Sequence, residues 1–181
     1  YGALTDDNNS GSSDIFLVKY NDAGARLWTK QLGTASEDVA YGLTVDSNGI
    51  YVTGYTKGNP WNLAGNPDNE SNQGNTDAFI VKHYDNSSQT PHWTILRGTA
   101  SAEVGRSVTV DSSNNLYLTG DNSSTSGDYD AFLAKYSRSN PSSPTWIRYM
   151  STSSGEYGYG VVAYTNTFIY AVGNTGGELD N

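Results

Sequence analysis

Asp14-Ile-Phe-Leu-Val-Lys-Tyr20 returns as Asp77-Ala-Phe-Ile-Val-Lys-His-Tyr84 and again as Asp130-Ala-Phe-Leu-Ala-Lys-Tyr136. A tryptophan follows each copy: Trp28, Trp93 and Trp146. Next come Gly42-Leu-Thr-Val-Asp46, Ser107-Val-Thr-Val-Asp111 and Gly160-Val-Val-Ala-Tyr164. Ile50-Tyr-Val-Thr-Gly54, Leu116-Tyr-Leu-Thr-Gly120 and Ile169-Tyr-Ala-Val-Gly173 close the series. Four features recur in one order, and such a fixed repeat decides the architecture before any local reading does.

Each feature is a short run rich in β-branched and aromatic residues, and aliphatic positions alternate with Tyr or Thr in 50–53 and 116–119. Alternation of this kind gives a strand two unlike faces. Turn residues separate the runs, as in Asn21-Asp-Ala-Gly24 and Asp46-Ser-Asn-Gly49, which are hairpin signals. No stretch shows a 3.6-residue period with helix caps. Four strands per repeat predict an all-β fold of β-propeller blades, whose WD-type versions take ~40–45 residues. The expected architecture is about three four-stranded antiparallel blades, a partial propeller or part of a larger ring. The repeats run approximately over 1–50, 51–116 and 117–169, with a partial fourth at 170–181. Tyr51 and Tyr117 are 66 residues apart but Tyr117 and Tyr170 only 53. The excess places an enlarged loop at 57–76 and a smaller Ser/Pro-rich hairpin loop at 137–145. His83 reads as an extra residue, a bulge in its strand.

Composition agrees with this and narrows function. Of 181 residues, 35% are hydrophobic and 12% aromatic, with 20 Gly. A disordered chain would lack the aromatics. The net charge is −9 and the ten basic residues are scattered singly, whereas nucleic-acid binding draws on clustered cations. No cysteine is present, so disulfide scaffolds and thiolate metal sites are excluded. No run is long enough to span a membrane.

The strings Asp-Ala-Phe-x-x-Lys-Tyr (130–136, and with His83 before the Tyr at 77–84), Leu27-Trp-Thr-Lys-Gln-Leu-Gly33, Tyr41-Gly-Leu-Thr-Val-Asp46 and Ile50-Tyr-Val-Thr-Gly-Tyr-Thr56 together resemble the bacterial seven-bladed β-propeller repeat (SBBP) family. The resemblance implies a propeller, usually within large secreted or surface-attached proteins. It carries no defined catalytic residues. The expected function is therefore a non-catalytic extracellular or cell-surface module with a structural or binding and adhesion role. A carbohydrate-binding propeller is one alternative. A fragment of a quinoprotein-like propeller enzyme is another, because Asn21-Asp-Ala-Gly-Ala-Arg-Leu-Trp28 is similar to a tryptophan-docking repeat. Tyr164 departs from the pattern where the earlier copies have Asp46 and Asp111, and is expected to loosen that turn. By analogy with other propellers, 42–46 and its copies are innermost and the Trp strands outermost.

Three groups of residues are candidates for chemistry. Asp38, Glu103 and Glu156 stand at equivalent positions before the innermost strands, and with Trp61 of the enlarged loop they are the ligand-binding candidates. Asp14, Asp77 and Asp130 each follow a Gly by three residues, and Asp6-x-Asn8-x-Ser10-Gly11 imitates the start of a calcium loop. Such hard oxygen ligands suit calcium, which makes Asp6, Asp14, Asp77 and Asp130 the metal candidates. The competing role for short acids is to cap turns. Trp28, Trp93 and Trp146, with Phe16, Phe79 and Phe132, are expected to be the repeat's core. Sequons at Asn8, Asn69, Asn86 and Asn122 are no more than this composition yields by chance. No catalytic motif is present: there is no Gly-x-Ser-x-Gly, no His-Glu-x-x-His and no phosphate-binding glycine loop.

Propellers have ~4–8 blades, so three repeats call for more. The expected partners are further blades from a longer chain or a second copy meeting the first head to tail, together with a protein or glycan ligand. The longer chain is preferred. Tyr1 is not a natural start, so an exporting segment could precede it.

Overall fold

The computed structural model describes residues 11–59, 71–88, 90–123 and 127–179. Twelve strands and no helix are found among them. They are β1 (Ile15–Tyr20), β2 (Arg26–Leu32), β3 (Asp38–Asp46), β4 (Gly49–Thr56), β5 (Asp77–His83), β6 (Trp93–Arg97), β7 (Glu103–Val110), β8 (Asn115–Ser123), β9 (Tyr129–Ser137), β10 (Asn140–Met150), β11 (Glu156–Ala163) and β12 (Ile169–Thr175). Two complete four-stranded antiparallel sheets have the orders β3-β4-β5-β6 and β7-β8-β9-β10. Two-stranded sheets, β1-β2 and β11-β12, flank them. Each sheet is a blade, and the blade boundary falls between the Trp strand and the Gly-Leu-Thr-Val-Asp strand. Strand β7 packs against β3, β4 and β5, and β11 packs against β7, β8 and β9. The three strands β3, β7 and β11 thus lie side by side on the inner edge, and the Trp strands form the outer edge.

Blade stacking has a repeated physical basis. Tyr51, Ala78, Ile80, Trp93 and Ile95 of one blade pack against Val108, Leu116, Leu118, Phe132, Ala134 and Tyr136 of the next. Ile15, Leu17 and Leu32 meet Ile50, Val52, Phe79, Val81 and Leu96 in the same way. Close approach is set by glycine: a Cβ on Gly105 would lie 2.3 Å from Thr53 Oγ1, and one on Gly158 would lie 2.5 Å from Thr119 Oγ1. Those hydroxyls are committed elsewhere, donating to the Phe79 and Phe132 carbonyls at 2.6 and 2.7 Å.

Trp93 is buried, while Trp28 and Trp146 are half-buried. All three face a lysine across the register, Lys82, Lys19 and Lys135. Phe79 and Phe132 are fully buried, but Phe16, expected in the core with them, is 67% exposed. The cause is geometric: Phe16 faces away from β3–β6, and no described blade covers that side of β1. The same holds for Val162, Tyr170 and Val172 at the other end of the array, whereas Leu43 and Val45 of β3 are on the face turned toward the first sheet, of which only β1 and β2 are described.

Three local expectations are corrected. His83 is not a bulge: it pairs regularly with Ile50, the place that Tyr136 takes opposite Leu116. Residues 140–145 are not loop but the irregular start of β10, with register shifts at Pro144 and Trp146. The turn at Tyr164 is not left loose, because Tyr164 donates to the Phe168 carbonyl and Thr165 Oγ1 accepts the Thr167 and Phe168 amides. Thr165 thereby replaces the aspartate that caps the sister turns, where Asp46 accepts from Asn48 and Asp111 from Ser113.

Candidate functional site

The enlarged loop leaves β4 and enters β5 at the end of the sheet where β3 begins, since Asp38, Thr56 and Asp77 are register partners across β3, β4 and β5. That end, the insertion end, carries Asp14, Glu37, Asp38, Asp77, Glu103, Asp121, Asp128, Asp130 and Glu156. Trp61 and Asp6 lie outside the described residues.

Asp38, Glu103 and Glu156 are buried, one per blade. Each accepts from a threonine four residues earlier. Thr34 gives its amide at 2.6 Å and its hydroxyl at 2.8 Å to Asp38. Thr99 gives both to Glu103, the amide at 2.9 Å, and Thr152 gives both to Glu156 at 2.8 and 2.6 Å. The threonine oxygen then accepts the amide two residues on, from Ser36, Ser101 and Ser154. The result is a carboxylate-centred loop tie, Thr-x-Ser-x-Asp/Glu, repeated in every junction between blades.

Asp14, Asp77 and Asp130 also sit one per blade and are not brought together. Asp77 accepts the Gln73 amide at 2.9 Å, and Gln31 donates to Asp14 at 3.3 Å. The carboxyls of Asp14 and Asp77 occupy the space that a side chain on Gly33 or Gly98 would need. Among the described residues, no three acidic or imidazole groups gather as metal ligands.

A different constellation occupies the inner edge of the insertion end. The register of each innermost strand slips by one residue, between Ala40 and Gly42, Gly105 and Ser107, and Gly158 and Gly160. A bulge re-aims the extra side chain, and the extra residues are Tyr41, Arg106 and Tyr159. The Arg106 guanidinium lies over the Tyr41 ring at 5.5 Å and over the Tyr159 ring at 5.6 Å. Tyr55 continues the row beyond Tyr41, with centroids 6.0 Å apart. Tyr157 stacks on Tyr159 at 6.4 Å and 8°, and Tyr129 stacks on Tyr157 at 5.2 Å and 29°. Five tyrosines and one arginine from three blades thus form one continuous row. Tyr41 and Tyr159 are half exposed, at 51% and 50%.

The row is close to neutral in spite of its arginine. Asp121 of β8 ion-pairs with Arg106, whose Nη2 lies 3.3 Å from the second carboxylate oxygen. Burial outweighs that pairing at Asp121 and holds its carboxyl above the usual range, while the same pair raises Arg106. Tyr55 donates to Glu37, which keeps Glu37 below the usual carboxylate range, and Lys57 adds an ion pair at 3.3 Å. Burial and then Glu37 raise the Tyr55 hydroxyl, and burial raises that of Tyr157. These phenols remain hydroxyl donors at neutral pH.

Sequence reasoning passed over this row. Its signal was present, since Tyr41, Arg106 and Tyr159 hold one repeat position, three residues after Asp38, Glu103 and Glu156. It was masked because a strand of strict alternation does not reveal a bulge.

The comparisons with known proteins agree with this geometry. The model of the beta-propeller repeat, SBBP, matches residues 27–61, the span of an outermost strand, the next innermost strand and its partner β4. Over 122 residues the chain is 30% identical to the uncharacterized WD repeat-containing protein L264 of Acanthamoeba polyphaga mimivirus, covering 61% of this chain and 9% of that protein. Over 136 residues it is 28% identical to the regulatory protein FlaEY of Caulobacter vibrioides, covering 70% of this chain and 14% of that protein. The chain therefore spans only a small part of the length of these relatives. Its four-stranded sheets and inner-edge stacking make it a β-propeller array, and its segment 27–61 matches the SBBP repeat.

Proposed function

We propose that this array is a non-catalytic module of an extracellular or cell-surface protein, and that it binds through the tyrosine row at the insertion end. The observation that carries the reading is the row itself: rings from three blades, half exposed, aligned beside the loop that most enlarges the repeat. Aromatic rings with one wet edge suit contact surfaces, and loops held by a rigid scaffold commonly carry recognition. Asp38, Asp77, Glu103 and Glu156 at the same end are engaged by their own loops, which supports the row as the recognition surface. The apolar residues exposed on the two end sheets, Phe16 on β1 and Val162, Tyr170 and Val172 on β11 and β12, support membership of a larger ring completed by further blades of a longer chain.

Glycan and peptide arrays probed with the chain and with its Tyr41→Ala/Tyr159→Ala variant test the reading. Signals lost in a folded double variant support it. Signals that survive unchanged move the binding surface elsewhere. The row also favours a second, narrower reading, carbohydrate binding: ring faces and phenol hydroxyls with their charges already paired suit a neutral polyol better than an ionic ligand.

A further inference from the structure

Arg97 breaks the repeat. Leu32 and Met150 hold the equivalent place, before Gly33-Thr34 and Ser151-Thr152, as Arg97 does before Gly98-Thr99. Packing between blades thus accepts an apolar side chain there, and a charge at such a position points to a use other than packing. Arg97 is 8% exposed. It forms no ion pair with a described residue, unlike Arg106. Its Nε and Nη1 have no hydrogen-bond partner among the described residues, and Nη2 donates to the Tyr149 hydroxyl at 2.7 Å. The Phe132 ring lies 4.1 Å from the guanidinium carbon. That contact offsets part of the cost of withdrawing a cation from water, but it satisfies no N–H. On the neighbouring segments, Asp77 accepts the Gln73 amide and Glu103 accepts from Thr99.

Beside Arg97 a groove of about 240 Å³ opens between the outer strands of the two complete blades. Thr99, Tyr136, Ser142, Pro144 and Tyr149 line it together with Arg97. Tyr149, 51% exposed, is its wet wall. We propose that this groove binds one oxyanion group, a carboxylate, phosphate or sulfate, on the Arg97 guanidinium. The anion takes the Nη2 hydrogen that the Tyr149 hydroxyl now accepts, and movement of that phenol opens the remaining N–H groups. Guanidinium is the side chain best suited to a planar or tetrahedral oxyanion. The site lies at the outer edge of the blades, apart from the tyrosine row.

The test is titration of the 15N-labelled chain with acetate, inorganic phosphate and sulfate in turn, at constant ionic strength, following the Arg97 Nε–H resonance and the melting temperature. A saturable shift with at least one anion, and its absence from Arg97→Met, is expected. Because the repeat already places Met150 at that position, the variant should keep its fold, and its backbone spectrum reports this directly. Loss of charge-assisted hydrogen bonds weakens binding roughly 10–100-fold. Tyr149→Phe removes the competing hydroxyl and should bind the same anion at least as tightly. The three arms show which oxyanion chemistry the groove takes. Shifts that are linear in all arms, or equal in the chain and Arg97→Met, or abolished by Tyr149→Phe, overturn the proposal.

Discussion

Acidifying the protein should remove a defined part of its stability through one residue, His83. Its side chain is fully buried at the end of β5, between the first two blades, and both ring nitrogens lack a hydrogen-bond partner among the described residues. Burial, with the nearby Lys30 ammonium second, lowers its pKa from 6.5 to about 4. The unfolded chain therefore takes up a proton at a higher pH than the folded one, so the penalty is absent above the unfolded value. It grows as pH falls from about 6.5 to about 4 and then levels off. Each unit is worth about 1.36 kcal/mol, which gives roughly 3 kcal/mol in full and roughly 2.5 kcal/mol at pH 4.5. Urea denaturation at pH 7.5 and 4.5, for the chain and for His83→Tyr, isolates the effect. Tyrosine is what the repeat itself places opposite Leu116, and carboxylates titrate alike in both proteins. The variant should lose roughly 2.5 kcal/mol less between the two pH values. Equal losses would refute the argument from burial.

Trp93→Ala should cost about 3–5 kcal/mol in chemical denaturation and Trp146→Ala less, since Trp93 is buried and Trp146 only half-buried; the reverse order would contradict the packing described. Glu103→Ala strips the Thr99 amide and hydroxyl of their acceptor and should cost about 2–4 kcal/mol, with Glu103→Gln milder because it can still accept. Chelation by EDTA after incubation in millimolar calcium should leave the melting temperature unchanged, as Asp38, Glu103 and Asp77 already accept from their own loops; calcium bound at 100 times its dissociation constant would instead register as about 2.7 kcal/mol.

The architecture was legible because the repeat is redundant: three copies of Asp-x-Phe and of Ile/Leu-Tyr-x-x-Gly cannot be misread together. The acids were legible as a repeated set, but their role was not. Whether Asp38 faces a ligand or Thr34 depends on a loop closing back by four residues, and the hydrogen bonds that close it leave no periodic trace. Tyr41, Arg106 and Tyr159 were visible as letters and invisible as a site, since only the bulge in each inner strand turns them into line. The exposure of Phe16 could not be read from its motif, which is the same as that of Phe79. What differs is the neighbour, one blade away. His83 misled for a related reason: register, not residue count, decides that Tyr84 is the residue left over.

Recognition at the insertion end is the central proposal for this protein. Aromatic and side-chain NMR spectra recorded while titrating a ligand recovered from the arrays test this directly. The prediction is that resonances of Tyr41, Arg106, Tyr157, Tyr159 and Tyr129 move together and saturate at one affinity, while Lys19, Arg138 and Asn48 at the opposite hairpins stay fixed. Saturable shifts confined to the hairpin end, with the tyrosine row unmoved, would contradict it.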